Sequence, residues 1–157
     1  MKREETREKR RENAGRSPMM VSEPNGFMRL LAWQKARRLH ERVRELSDKP
    51  QFAREYELKR QMQGSALSIP SNICEGYGRG GRGEFHQFLI VAKGSCGELR
   101  SQIISSLDAG LIAKEEAETF VCEIDEVARI IEGLRKKVLQ QKGNSLDTRK
   151  GVPKDAS

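Results

Sequence analysis

The chain is 157 residues long, 36% hydrophobic, 34% charged and 5% aromatic, with 30 basic against 23 acidic side chains and a net charge of +7. That length is one domain with tails, and no run nears the roughly 18 apolar residues of a membrane-spanning helix. The charged N-terminus lacks the apolar stretch of a signal peptide, so the cytoplasm is the expected location.

Residues 1–27 are rich in charge and are broken by Gly15, Pro18 and Pro24. They read as a flexible charged tail, disordered or a frayed charged helix, because so few large apolar side chains cannot form a core. Met19, Met20 and Met28 leave the position of the natural start open. Residues 28–139 read as the folded unit, and residues 140–157, with Gly143, Gly151 and Pro153, read as a second flexible tail.

Four helical patterns fill the central unit. In the first, Ala32, Ala36, Leu39, Val43 and Leu46 recur alternately four and three residues apart, which is an apolar bundle seam ending near Ser47 to Pro50. The second spans about Phe52 to Tyr77 with Leu58, Met62, Ala66, Ile69 and Ile73, and Pro70 predicts a kink or a break inside it. The third begins after Gly83, carries Phe85, Leu89, Ala92, Cys96, Leu99 and Ile103, and stops near Gly110.

A second stripe on that helix, Ile90, Gly94, Gly97, Ser101 and Ile104, lies about 100° round from the first. Its small residues allow a second backbone close approach, which predicts an oligomer interface there. Phe120, Ile124, Val127, Ile131, Leu134 and Val138 mark the fourth helix. Four such stripes with short connections predict an all-α fold, an antiparallel up-down four-helix bundle with disordered charged tails.

Basic residues are unevenly spread. Between Phe27 and Arg100 there are 14 basic and 8 acidic residues, and between Ser101 and Leu139 there are 5 and 8. An anionic partner, nucleic acid first, follows from that imbalance. Lys35, Arg38 and Arg42 follow one face of the first helix with Arg37 and Arg44 on its flank, and Lys59 and Arg60 lie on the second. Such a stripe meets a phosphate backbone without reading sequence. The competing reading is a solvated face, in which Glu41 and Glu45 pair with their neighbours.

Between the second and third helices the chain runs Gly76-Tyr77-Gly78-Arg79-Gly80-Gly81-Arg82-Gly83. It matches the dinucleotide fingerprint in spacing, but that motif requires a preceding strand, and a helix precedes it here. A phosphate contact through Arg79, Arg82 and free N–H groups is the reading that survives, beside that of a plain turn.

No catalytic constellation is evident. Asn72 and Glu75 have no base, nucleophile or metal partner, so their expected role is structural, holding helix two against helix three through Ser95 or Arg100, with Glu98 in the same network. No Glu-x-x-His occurs before His40 or His86, so no metal and no cofactor are expected. Cys74, Cys96 and Cys122 have no C-x-x-C spacing and are read as buried thiols.

The ordered motifs Leu31-Ala32-Trp33-Gln34-Lys35-Ala36, Ser68-Ile69-Pro70-Ser71-Asn72-Ile73-Cys74-Glu75-Gly76, Phe85-x-x-Phe88-Leu89 and Ala92-Lys93-Gly94-Ser95 carry a family resemblance. The chain resembles the small bacterial four-helix-bundle proteins first noticed in intervening sequences of large-subunit ribosomal RNA genes. That family includes the accessory protein of diversity-generating retroelements. The resemblance covers roughly Leu30 to Val138 and implies a basic homopentamer that binds nucleic acid and a reverse transcriptase. It also marks Ser68, Asn72, Glu75, Gly76, Ser95 and Glu98 as the structural motif. Gln63-Gly64 stands where family members often carry an arginine pair, and Arg54 where an acidic residue is usual.

The function expected from these readings is a non-enzymatic, oligomeric bundle binding nucleic acid, RNA ahead of DNA, through its basic face. The alternative is a protein-interaction scaffold or accessory subunit that does not touch nucleic acid.

Overall fold

The computed structural model describes residues 26–141. The tail readings for residues 1–25 and 142–157 lie outside the described residues. After a 3-10 turn at Gly26–Arg29 come α1 (Leu31–Ser47), a second 3-10 turn at Pro50–Phe52, α2 (Tyr56–Gly78), α3 (Arg82–Asp108) and α4 (Lys114–Gln140). Each helix packs on its sequence neighbour, and α4 returns to close against α1. Lys35 near the start of α1 pairs with Glu126, while Lys49 beyond its end pairs with Glu116, so α1 and α4 run antiparallel. The fold is an all-α, up-down four-helix bundle.

The expected seams form the core. Ala36, Val43, Met62, Ala66, Ile69, Ile73, Leu89, Ala92, Leu99, Ile103 and Ile131 are fully buried. The described fold takes in two residues of the predicted tail, Gly26 and Phe27, and Phe27 stands edge-to-face on Trp33 with ring centroids 5.1 Å apart. The second helix begins at Tyr56, later than expected, since Pro50 starts a separate 3-10 turn that seats Phe52 in the core.

Pro70 does not break α2. Proline removes one N–H from the helical ladder and crowds the carbonyls of the preceding turn. The helix continues on both sides of the one missing bond, to the Ala66 carbonyl, and the next two residues add side-chain bonds of their own: Ser71 Oγ donates to the Leu67 carbonyl at 2.8 Å, and Asn72 Nδ2 to that of Ser68 at 2.8 Å. Such back-bonding by short polar side chains is a local alternative to the backbone ladder and favours a bend over a break at this turn.

The motif between α2 and α3 is a polar relay. Asn72 Nδ2 also donates to Ser68 Oγ at 2.9 Å, Ser68 Oγ lies 2.8 Å from Ser95 Oγ, and Ser95 Oγ donates to the Val91 carbonyl at 3.2 Å. Glu98 accepts from Ser65 at 3.4 Å. Two expected members are absent from it. Glu75 turns outward to Arg79 at 2.8 Å, and Arg100 turns to Asp125 on α4 at 3.6 Å. Both long side chains sit on flanks of their helices that point away from the α2–α3 seam.

Only one cysteine matches its expected burial. Cys96 is buried, and that burial pushes its thiol up to about 12, which leaves it unreactive. Cys74 is half-buried and Cys122 is exposed. No helix among the described residues is long and apolar enough to cross a membrane.

Candidate nucleic-acid interface

The α1 stripe is tied to its neighbour. Lys35 Nζ bonds Glu126 at 3.0 Å, Arg42 pairs with Glu123, and Lys49 bonds Glu116 at 2.7 Å. Together these make a ladder of ions along the α1–α4 seam. Arg42 also lies over the Phe120 ring, 4.7 Å from its centroid. The seam carries a recess of about 260 Å³ in which Lys35, Arg38 and Arg42 face Glu123 and Glu126. Charge there is close to balanced, and Arg38 is the cation of the three without an ion pair.

The other candidates do not gather on one face. Lys59 pairs with Asp48 at 2.7 Å and Arg60 with Glu57 at 2.7 Å, both toward the α1–α2 turn. Arg37 lies 3.6 Å from Glu41 and over the Trp33 ring at 5.6 Å. Arg79 pairs with Glu75 and lies over the Phe88 ring at 5.6 Å. The remaining two, Arg44 and Arg82, join no ion pair, and they lie at opposite ends of the bundle.

Charge is organised along the bundle axis instead. The half holding residues 26–38, 67–94 and 127–141 contains 11 basic and 3 acidic side chains. The half holding residues 39–66 and 95–126 contains 8 basic and 13 acidic ones. Antiparallel helices largely cancel one another's macrodipoles, so this polarity comes from side chains. Residues 26–40 contain no carboxylate, and the last turns of α4 bring Arg129, Arg135, Lys136 and Lys137 to the same end.

The α4 cations were invisible to a reading of local stripes. The signal that reveals them is topological: in an up-down bundle, the start of α1 and the end of α4 are neighbours.

The glycine-rich loop caps this basic end. Gly80 turns the chain with φ +77°, and α3 starts after Gly81 with no side-chain cap. Cβ atoms at Gly78, Gly80, Gly81 and Gly83 would meet nothing within 4 Å. The loop is thus open around Arg79 and Arg82, as a phosphate contact needs.

A second ion cluster joins α3 to α4 at the same end. Lys93 bonds Glu132 at 3.1 Å, Arg135 grips both Glu132 oxygens at 2.6 and 2.9 Å, and Arg135 Nη1 donates to His86 Nε2 at 2.7 Å. Arg135 and Lys93 together hold the Glu132 carboxyl down at about 2.

The stripe on α3 faces outward. Ile90 is 44% exposed and Ile104 45%, Ser101 is also exposed, and nothing lies within 4 Å of a Cβ built on Gly94 or Gly97. Val91, 52% exposed, widens the patch. No three His, Cys, Asp or Glu side chains among the described residues come together to hold a metal.

The sequence profile of the 23S rRNA-intervening sequence protein family matches residues 28–133. Among solved structures, the chain is similar to a protein of unknown function from the S23 ribosomal protein family of Bacteroides thetaiotaomicron. That likeness has 19% identity and a TM-score of 0.62, and covers 68% of this chain and 99% of the other. It speaks for the fold. No curated protein matches the chain.

Proposed function

Because the chain belongs to the 23S rRNA-intervening sequence protein family, we propose that it is a non-enzymatic nucleic-acid-binding bundle, with RNA as the preferred polymer and the basic end as its contact surface. The observation that carries this is the axial polarity, 11 cations against 3 carboxylates in one half and 8 against 13 in the other. A polyanion is drawn to the first end and repelled by the second, so the field orients the protein before contact. Phosphate contacts supply affinity with little sequence preference. Arg82, Lys136 and Lys137, which join no ion pair, are available to a phosphate without breaking an existing contact.

The α1 stripe has a smaller part in this reading than its sequence suggests. Releasing Lys35 or Arg42 to a phosphate leaves Glu126 or Glu123 unpaired beside the same phosphate. Self-association belongs to the proposal through the exposed α3 stripe. A ring of subunits, five by the family resemblance, multiplies one modest basic end into an avid surface. A reverse transcriptase as protein partner, and the cytoplasm as location, rest on the resemblance and on the sequence respectively.

The test is anisotropy of a labelled structured RNA across salt concentrations. Arg82→Gln, Lys136→Gln and Lys137→Gln combined are expected to flatten the log–log salt slope by about 2 to 3, near one unit per cation. Arg54→Gln, Lys59→Gln and Lys114→Gln, spread over the other half, leave it unchanged. No binding at low salt overturns the proposal. Equal effects of the two triples overturn the basic end as the site.

A further inference from the structure

Along the outside of the α1–α2 seam runs an open groove of about 450 Å³. Trp33, Leu67, Pro70 and Cys74 line it, and Phe27 closes it near the chain entry. Leu67 is 50% exposed although it faces this apolar surface. The edge-to-face Phe27 fixes one side of the Trp33 ring, and the Arg37 guanidinium lies over the ring 5.6 Å from its centroid.

At the rim, burial first and the charge of Arg44 second keep the His40 imidazole below its ordinary pKa, so near neutral pH it offers both a donor and an acceptor. Glu75, the carboxylate at the rim, is engaged by Arg79. Every lining residue except His40 belongs to the basic half of the bundle.

We propose that this groove takes an unpaired nucleobase of a nucleic acid whose phosphates rest on the adjoining basic end. The inference rests on the nucleic-acid reading above and adds a preference for single-stranded segments. A nucleobase has two apolar faces and a polar edge, and the groove has aromatic and aliphatic walls with polar groups at the rim. The volume falls within the range of ordinary ligand pockets, roughly 300 to 1,000 Å³. Stacking on an aromatic ring contributes binding for any base, and the Arg37 guanidinium that lies over Trp33 is itself a plane on which a base stacks when it swings off the ring.

Charge complementarity selects this occupant over an apolar segment of a protein. The phosphates flanking the inserted base lie against the half of the bundle with 11 cations and 3 carboxylates, whereas an apolar helix laid in the groove would have to cover Arg37 and gains nothing from that field. A flat stack and a few cations read base chemistry poorly, so the preference is for unpaired structure over particular sequence.

Trp33 is the sole tryptophan, so emission excited at the red edge, where Tyr56 and Tyr77 do not absorb, reports on this groove alone. The probes are a short oligothymidylate and a blunt duplex of equal length, each titrated into the full chain. The single strand is expected to change Trp33 emission with the same midpoint as its anisotropy, and the duplex to bind without that change. Trp33→Leu is expected to weaken the single strand roughly tenfold and the duplex not at all. Should Trp33→Leu fail to fold, Leu67→Gln, at a half-exposed position, gives the same selective loss in smaller measure.

Single-strand binding that leaves Trp33 emission unmoved overturns the inference, as does equal weakening of both probes. A fall in oligomer mass on Leu67→Gln also overturns it, by assigning the groove to a second copy. If neither probe binds at low salt, the nucleic-acid reading itself fails and this inference with it.

Discussion

A Cβ placed on Gly76 of α2 would stand 2.6 Å from the Cβ of Phe88 on α3, inside any allowed contact. Gly76 and Phe88 therefore set how closely the two helices approach beside the glycine-rich loop. Tyr77 and Phe85, edge-to-face at 5.9 Å between centroids, pack next to them. Gly76→Ala is expected to destabilise the bundle by about 1 to 3 kcal/mol, the usual cost of overpacking. Gly64, inside the same helix with open space around it, should behave oppositely. Gly64→Ala is expected to stabilise by roughly 0.5 to 1 kcal/mol. Urea unfolding of the two variants checks both signs, and a neutral Gly76→Ala contradicts the close approach.

The α1–α4 ladder contributes little to stability and screens the cations of α1. Its pairs are part-exposed, and such pairs contribute about 0 to 1 kcal/mol each. Glu123→Gln with Glu126→Gln frees Lys35 and Arg42 and adds two units of net positive charge. The double variant is expected to bind RNA more tightly at low salt, with a steeper salt slope, and to lose little stability. Unchanged affinity and slope would show that the α1 stripe lies away from the polymer.

Glu132 gives a pH signature. Its ordinary pKa of 4.5 is lowered to about 2 by the hydrogen bonds from Arg135 and then from Lys93. For a carboxylate depressed on folding, the stabilisation is complete above the unfolded value near 4.5, weakens as pH falls below it, and is gone once pH drops below about 2. A carbon-detected NMR titration should place the Glu132 midpoint far below those of unpaired glutamates. Arg135→Gln should move it upward, and a wild-type midpoint near 4.5 would contradict the cluster.

Self-association through α3 is tested by filling its glycines. A Cβ on Gly94 or Gly97 meets nothing within 4 Å in the single chain, so Gly94→Leu and Gly97→Leu should fold. Light scattering is expected to show a multimer for the native chain and a smaller species for the double variant. A native chain of 17.8 kDa mass in solution removes the α3 interface.

The helices were legible because a seam of apolar residues is a property of one segment. Ala32 through Leu46, or Phe120 through Val138, declare their inner face within a few turns. The outward α3 stripe was legible for the same reason, since Ile90, Gly94 and Gly97 share one face. Charge was harder, because a cation is defined by what stands opposite it. Lys35 meets Glu126 across 91 positions of sequence, and no local pattern announces that pairing. Pro70 likewise comes beside Trp33 and Phe27 only when α2 packs on α1, so the groove is not announced by any one segment. Glu75 was misplaced because its neighbours in sequence are motif residues, while its side chain leaves by the other flank.

The up-down order of four helices has a practical corollary. Gly26 and Gln141, the first and last described residues, leave from the same pole of the bundle, the one dense in lysine and arginine. Any affinity tag, fluorophore or fused domain added at either terminus therefore connects to the bundle through the pole proposed to meet phosphates. An attachment point that keeps clear of it must be internal, at the distal turns around Arg54 or Ala109, where a label would ride on the acidic pole.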